Sequence, residues 1–174
     1  MGLKIWFCPF VDLLIGGNKM KLYDLRTEYR ENPIGLTDKA PRFSWKIESE
    51  EQNTIQTAYE IHVTDENGNV VWNSGKKASD QSVLIPYEGE TLADEMLYKV
   101  EVSVADNHGN AEAIEGTFET GIIDNTEFIA KMITGDFPAE ETACPVFGKT
   151  FAIDKKVKKA RLYATAHGVY EVTL

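Results

Sequence analysis

The stretch YKVEVSVAD, residues 98–106, alternates strictly between apolar and polar side chains. Tyr98, Val100, Val102 and Val104 fall on one face of an extended chain, and the residues between them fall on the other. An alternation of period two with one apolar face is typical of an antiparallel strand that is buried on one side. The stretch therefore predicts a half-buried strand and an all-β fold around it.

The same alternation occurs upstream in TAYEIHVTD, residues 57–65. Its Tyr59, Ile61 and Val63 share the inward face. The residues ENGN at 66–69 tolerate positive φ, and the apolar run VVW at 70–72 follows them. Two strand-like runs joined by such residues predict a β-hairpin, here with an Asn-Gly turn.

Four further strand-like segments are separated by prolines and glycine-rich breaks, and they cover residues 22–29, 42–47, 82–87 and 112–120. Together they give seven short strands in about one hundred residues, which predicts a two-sheet sandwich over residues 20–121. The spacing resembles a fibronectin type III or immunoglobulin-like module. The paired cysteines that mark a true immunoglobulin domain are not present.

Residues 122–127 read as a linker, and a second set of strand-like segments follows in residues 128–174. These segments are residues 130–133, 146–153, 160–166 and 169–174, with a His-Gly turn at 167–168 between the last two. Four strands, one of them cut short, do not close a sandwich. We therefore expect residues 128–174 to be the truncated N-terminal part of a second β-sandwich.

The first nineteen residues, MGLKIWFCPFVDLLIGGNK, do not match the rest of the chain. Pro9 and Asp12 interrupt the apolar stretch and no small-residue cleavage site follows, so a secretory signal fits poorly. The bulky Phe7 before Cys8 is wrong for a lipoprotein signal. The apolar stretch is also shorter than the roughly 18 residues that a membrane span needs.

A different reading of this segment uses the genetic code. The residues GGNKM at 16–20 can be encoded by a purine-rich ribosome-binding sequence at a suitable distance before a start codon. We therefore expect Met20 to be the true start, residues 1–19 to be a leader without selected structure, and the protein to be cytoplasmic.

Composition and charge restrict the partners. The chain has 174 residues, of which 43% are hydrophobic and 26% charged, within the range of ordinary globular proteins. Its formal net charge of −10 repels phosphate backbones and argues against nucleic acid. The one basic run, KKVKK at 155–159, lies between two strand-like stretches and reads as a solvated hairpin end. We expect neither a nucleic acid nor a membrane as partner.

The cysteines and histidines do not form a recognisable metal or disulfide pattern. Cys8 and Cys144 are far apart and differ in context, so we expect two unpaired thiols. His62, His108 and His167 are scattered without ligand spacing.

Other candidate sites have structural explanations. The segment DENGN at 65–69 is similar to the start of a calcium loop, but Lys76 stands where such a loop needs its bidentate Glu. Ser44, Ser74 and Ser82 lack the glycine frame of a nucleophile elbow. Nothing singles out an acid and a base among the 28 acidic residues. We therefore predict no catalytic, metal-binding or cofactor-binding residue in this chain.

Aromatic residues serve both sugar-binding surfaces and sandwich cores. Trp45 shares a strand face with Phe43 and is most simply a core residue, as is Trp72 in its own alternating run. Tyr163 and Tyr170 flank the final turn and could face a neighbouring domain. No binding site follows from these residues alone.

Several motifs occur in an order that suggests a family. They are LRTEYRENPIGL at 25–36, PRFSW at 41–45, QTAY at 56–59 and VWNSGK at 71–76. In this order they resemble the N-terminal region of bacterial α-L-rhamnosidases of glycoside hydrolase family 78.

Motifs beyond the linker extend this resemblance. They are IAKMITGDFP at 129–138, PVFGKTF at 145–151 and ARLYATAHGVYE at 160–171. They resemble the opening of the family's next β-sandwich, although family members often have Trp where this chain has Met132. The resemblance covers the chain from about Leu22 to Leu174.

The resemblance implies a long modular enzyme with a fibronectin-like domain, β-sandwiches, an (α/α)₆ barrel and a C-terminal β domain. Such enzymes invert configuration: one carboxylic acid protonates the leaving oxygen and another carboxylate activates a water. Both carboxylates belong to the barrel, which these 174 residues do not contain. The chain is then a non-catalytic N-terminal fragment of an enzyme that hydrolyses terminal α-L-rhamnosides. Its partner is the remainder of the polypeptide, whose barrel binds the rhamnose-containing glycosides.

A second hypothesis of another class is a stand-alone fibronectin-like module that binds carbohydrate or protein. It requires a secretion signal and a completed second domain, and the motif order favours the enzyme fragment.

Overall fold

The computed structural model describes residues 20–123, 129–136, 138 and 144–173. The chain divides into two units, residues 1–128 and 129–174. Every strand of the described residues lies in the first unit. The predicted leader with Cys8, and most of the predicted linker, lie outside the described residues.

Seven strands form the first unit, and their alternating apolar residues explain where they lie. They are β1 (Met20–Thr27), β2 (Arg42–Ser49), β3 (Gln56–Asp65), β4 (Val70–Asn73), β5 (Ile85–Pro86), β6 (Leu97–Asp106) and β7 (Ala111–Glu119). One sheet has the order β1-β2-β5 and the other β4-β3-β6-β7, and all pairs are antiparallel. This is an immunoglobulin-like β-sandwich, so the predicted fold is confirmed.

The core lies between the two sheets and is built from the inward residues of the alternating runs. In β6, Val100, Val102 and Val104 are fully buried, as the YKVEVSVAD pattern predicts. Phe43 of β2 reaches across to the ring of Phe118 in β7, with 5.9 Å between the ring centroids. Burial of each such side chain contributes roughly 1.5–3 kcal/mol relative to its exposed state. The two strand faces predicted to be inward are therefore the faces that hold the sheets together.

The turns after β3 and β6 share the pattern Asp-x-x-Gly-Asn, at residues 65–69 and 106–110. In each, the Asp amide donates to the Asn carbonyl at 2.9 or 3.0 Å, and the glycine has a positive φ of 84° or 87°. A single left-handed glycine closes a three-residue hairpin loop with a bulge. The predicted hairpin is confirmed, and Asn67 and Gly68 lie in its turn, which is of this three-residue form.

The reason lies in the Asp side chain. The carboxylate of Asp65 accepts hydrogen bonds from the backbone amides of Asn67 and Asn69, at 2.9 and 2.8 Å. These bonds favour a turn in which Gly68 alone takes a positive φ, and Asn67 does not take one.

The predicted strand at residues 82–87 is shorter than expected, because only Ile85–Pro86 pairs with β2 as β5. Leu84 has a positive φ of 54°, which interrupts the extended chain, and its amide donates to Ser44 Oγ at 2.8 Å. The hydroxyl of Ser44 thus takes the place of a backbone carbonyl as the hydrogen-bond partner of Leu84. Pro86 has no amide hydrogen and fits the edge of the sheet.

The described residues of the second unit contain no strand, so the four strands predicted there are not found in this structure. Large apolar side chains are exposed along this unit, and Val169 is fully so. A strand needs a paired neighbour and a covered face, and isolated strand segments are at best marginal in water. The assignment of residues 128–174 to an incomplete second β-sandwich stays a prediction.

Candidate functional site

A bulge in β1 shapes a cleft in the first unit. Tyr23 pairs with Lys46 and Arg26 with Ser44, so one extra residue lies in β1 between these pairs. Asp24 occupies the bulge with a positive φ of 56°. A bulge bends its strand and redirects side chains. Here Leu25 turns inward and is buried.

A tight turn follows β1. Thr27 and Arg30 exchange two backbone hydrogen bonds of 2.9 and 3.0 Å, and Glu28 and Tyr29 between them both have positive φ, as a type I′ turn requires. The predicted strand 22–29 therefore ends at Thr27. Neither turn residue is the glycine or asparagine that normally indicates this turn.

The side chain of Arg42 holds this turn in place. Its Nε and Nη2 donate to the two carboxylate oxygens of Glu28 at 2.9 and 2.7 Å, and its guanidinium carbon lies 5.6 Å from the ring centroid of Tyr29. The hydrogen bonds from Arg42 hold the pKa of Glu28 below its ordinary value. Several contacts of this kind can maintain a backbone conformation that L residues adopt at a cost.

The loop after this turn reaches the free edge of β7. Asn32, with a positive φ of 44°, accepts a hydrogen bond at its side-chain Oδ1 from the amide of Thr117 at 2.8 Å. The amide of Glu119 donates to the carbonyl of Pro33 at 2.9 Å. The loop therefore covers this part of the β7 edge, which would otherwise present unpaired backbone groups.

Between the bulge of β1 and the middle of β7 lies a cleft of about 390 Å³, called here the β1–β7 cleft. A β-carbon added at Gly116 would lie 3.0 Å from Leu25 Cδ2, so the two strands approach closely at the floor of the cleft. Its walls include the following side chains and backbone: Tyr23, Leu25, Glu31, Asn32, Ile114 and Gly116.

Two carboxylates at the cleft form ion pairs. Lys46 Nζ and Arg26 Nε lie 2.7 and 2.6 Å from the carboxylate oxygens of Asp24. These hydrogen bonds, that from Lys46 first, hold the pKa of Asp24 below its ordinary value. Lys99 Nζ lies 2.6 Å from Glu115 Oε1. The charges of Asp24 and Glu115 are therefore balanced by partners within the fold.

This arrangement suits binding better than acid–base catalysis. Inverting glycoside hydrolysis needs one protonated and one ionised carboxyl group. Asp24 is held ionised by two cations and is therefore unsuited to donate a proton. Within residues 20–123, 129–136, 138 and 144–173, no cluster of three or more His, Cys, Asp or Glu side chains could hold a metal ion.

The histidines of the first unit make separate local contacts. His62 Nε2 lies 2.8 Å from Glu60 Oε1 on β3, and His108 Nδ1 lies 3.9 Å from Glu51 Oε2. His167 is exposed in the second unit. These contacts are local pairs at separate places in the fold.

The three candidate nucleophilic serines make hydrogen bonds that join neighbouring segments of the fold. Ser44 Oγ accepts from the amide of Leu84, and Ser74 Oγ accepts from the amide of Ile61 at 2.9 Å. The carbonyl of Ser82 accepts from the amide of Trp45 at 3.0 Å. These bonds attach the two ends of the segment between β4 and β5 to β3 and β2.

The remaining sequence candidates lie on the surface or in the core. Trp45 and Trp72 are buried, as predicted. Cys144 is exposed and forms no disulfide. The basic run 155–159 is exposed, and the hairpin predicted around it stays a prediction.

Tyr170 is also exposed, and Tyr163 is partly exposed. In the part of the chain that the structure describes, no helix has the length and apolar character needed to cross a membrane.

The β1–β7 cleft was missed from sequence because its geometry depends on contacts between distant residues. The one local signal is Gly116, since an isolated glycine within a strand often marks a close approach of backbones. Nothing in the residues around Asp24 predicts a bulge.

The seven strands, their sheet order and the buried aromatic core define an immunoglobulin-like β-sandwich domain. The family model described as "Rha78A-like, N-terminal immunoglobulin domain" matches residues 22–124, more than half of the chain. The chain belongs to this family.

Curated relatives carry the name α-L-rhamnosidase. One from Formosa agariphila is 32% identical over 164 residues, which cover 83% of this chain and 17% of the relative. One from Streptomyces avermitilis is 35% identical over 120 residues, covering 66% of this chain and 12% of the relative. The chain therefore spans less than a fifth of the length of these relatives.

Solved structures of α-L-rhamnosidases are also similar to this chain. The Streptomyces avermitilis α-L-rhamnosidase complexed with L-rhamnose matches with a TM-score of 0.60 and 34% identity, over 64% of this chain and 12% of that chain. The α-L-rhamnosidase from Dictyoglumus thermophilum matches with a TM-score of 0.58 and 35% identity, over 63% and 13%. The predicted resemblance to α-L-rhamnosidases is confirmed.

Proposed function

We propose that this chain is a non-catalytic N-terminal part of an α-L-rhamnosidase, and that the full polypeptide hydrolyses terminal α-L-rhamnosides with inversion. The observation that carries the proposal is the match of residues 22–124 to the N-terminal immunoglobulin domain of this family. The Formosa agariphila relative supports it further. Because 83% of this chain exceeds the 128 residues of the first unit, that alignment extends into residues 129–174.

In the proposed enzyme the two catalytic carboxylates lie in a helical barrel beyond this chain. The first unit supports that division of labour because its strongest carboxylate contacts are ion pairs that hold strands and turns, such as Glu28 with Arg42. The partner of both units is then the remainder of the same polypeptide.

The alternative is a stand-alone fibronectin-like module that binds carbohydrate or protein. The first unit has its own closed core, which this alternative requires. Alignment of the second unit with an α-L-rhamnosidase favours the enzyme fragment.

An aryl α-L-rhamnoside tests the proposal. We expect no release of the aryl group by the 174-residue chain and steady release by the full polypeptide, with aryl β-D-glucoside and aryl α-L-arabinoside as specificity controls. Release by the 174-residue chain would contradict its non-catalytic role. Hydrolysis of a control glycoside in place of the rhamnoside would contradict the substrate assignment.

A further inference from the structure

We propose that the β1–β7 cleft binds a single neutral sugar ring. The size of the cleft, about 390 Å³, falls in the range of roughly 300–1,000 Å³ that small-molecule sites occupy. The choice of a sugar over another neutral polyol rests on the proposed function, while the site itself rests on the residues of the cleft.

Part of the cleft lining is apolar. The ring of Tyr23 is 40% exposed, and Leu25 and Ile114 lie beside it along the cleft. Lys46 Nζ lies 5.9 Å from the centroid of the Tyr23 ring and helps to fix the ring. An aromatic ring and aliphatic side chains together suit the C–H face of a pyranose, because that face is apolar.

Two polar side chains of the cleft lining offer a donor and an acceptor. Asn32 uses its Oδ1 for Thr117, so its Nδ2 remains to donate. The exposed carboxylate of Glu31 forms no hydrogen bond or ion pair among the residues described, so its oxygens can accept. A sugar hydroxyl both donates and accepts, and a neighbouring donor and acceptor match this property.

The ion pairs at Asp24 and Glu115 leave no cluster of unpaired carboxylates for a cation. Asp24 and Glu115 are already paired with cations at 2.6–2.7 Å, so the carboxylates at the cleft do not form an unpaired acidic cluster. A cationic ligand would have to compete with these cations. A neutral ligand can use the remaining polar groups without breaking either ion pair.

The backbone keeps the cleft open. A side chain at Gly116 would approach Leu25 Cδ2 to 3.0 Å and Asn32 Oδ1 to 3.4 Å, where the two walls meet. The bulge at Asp24 bends β1 at the same level. The floor of the cleft is thus a consequence of strand geometry.

NMR titration of the ¹⁵N-labelled 174-residue chain tests the inference, with L-rhamnose, D-mannose and glycerol as separate probes. We expect saturable amide shifts at residues 23–25, 31–32 and 114–116 with a sugar, at millimolar concentration, and none with glycerol. Tyr23→Ala and Glu31→Gln should each weaken binding at least about fivefold. Tyr170→Ala, which removes an exposed tyrosine from the second unit, should leave binding unchanged.

The absence of saturable shifts with both sugars would overturn the inference, as would shifts confined to other residues or an equal response to glycerol. Retained binding in Tyr23→Ala and Glu31→Gln would also overturn it. Far-ultraviolet circular dichroism of both variants establishes that they are folded. Sugar binding at these residues combined with a full polypeptide inactive on rhamnosides would leave the cleft assignment intact and overturn the proposed function.

Discussion

At the scale of single residues, buried polar groups connect parts of the sandwich that apolar packing alone would not align. Gln56 is 5% exposed and bonds three separate partners. Its Oε1 accepts from Trp45 Nε1 at 3.0 Å, and its Nε2 donates to the carbonyls of Ser79 and Gln81 at 3.0 and 2.7 Å. It therefore joins β2, β3 and the crossing segment after β4.

Replacing this amide by an apolar side chain should be costly. Gln56→Leu leaves the buried indole N–H and two carbonyls without their partners, and we expect a loss of about 3 kcal/mol in the free energy of unfolding. Urea unfolding followed by tryptophan fluorescence measures it. Gln52→Leu, at an exposed position in the preceding loop, is the matched control and should change stability by less than about 0.5 kcal/mol. Equal stability of the two variants would show that Gln56 has no such role.

The Glu28–Arg42 pair should make stability depend on acid pH. The hydrogen bonds from Arg42 lower the folded-state pKa of Glu28 from its ordinary value of 4.5. The pair therefore stabilises the fold above pH 4.5, and this contribution is lost as pH falls through the folded-state pKa.

We expect Glu28→Gln to lower stability at pH 7 by about 1 kcal/mol, a value reduced for the solvent exposure of Arg42. The difference from the unchanged protein should shrink as pH falls below 4.5. Thermal unfolding at a series of pH values measures this difference. A deficit that stays constant down to pH 2 would contradict the explanation. Glu66→Gln, in an exposed turn, is the matched control and should change stability at pH 7 by less than about 0.5 kcal/mol.

At the scale of strands and loops, the start of β6 is fixed by a hydrogen bond from the loop before it. Tyr98 is buried, and its Oη accepts from the amide of Ala93 at 2.8 Å. This is the tyrosine corner of immunoglobulin-like sandwiches, in which a tyrosine near the start of the sixth strand bonds backbone a few residues upstream. Burial raises the pKa of Tyr98, which keeps the hydroxyl neutral.

Removing the hydroxyl should loosen this loop while the core stays packed. Tyr98→Phe keeps the ring stacked on Phe118, 5.1 Å away between centroids, and removes only the acceptor for Ala93. We expect a loss of about 1 kcal/mol and faster amide exchange at Ala93. Tyr23→Phe removes the hydroxyl of a side chain that is 40% exposed and serves as control. Unchanged exchange at Ala93 would contradict the assigned role.

The strands of the first unit could be predicted from sequence because period-two alternation is a local property, as in β3 and β6. The ends of these strands could not be predicted in this way. Ser82–Tyr87 and Leu22–Tyr29 are both cut short by partners far along the chain, Ser44 and Arg42. The cleft was missed for the same reason, since it needs Leu25 of one sheet to approach Gly116 of the other.

At the scale of the whole molecule, the two units differ in how their apolar residues are covered. The first has a continuous core from Met20 to Phe118. In the described residues of the second, side chains such as Phe151, Ile153 and Val172 are exposed and no strand is found. The predicted second sandwich therefore requires strands that the described residues of this unit do not form.

Hydrogen exchange should separate the two units. We expect amides in the centres of β3 and β6 to exchange only through global unfolding, and amides in residues 144–173 to exchange close to the rate of an unstructured chain. Mass spectrometry of peptic fragments after exchange measures both. Slow exchange throughout residues 144–173 would show that the second unit is already a stable domain.

The most direct test of the central claim is the nucleotide sequence that follows the codon for Leu174. If this chain is the N-terminal part of an α-L-rhamnosidase, the reading frame should continue through the rest of a β-sandwich into a helical barrel with an acid and a base. A stop codon directly after Leu174 would contradict the claim.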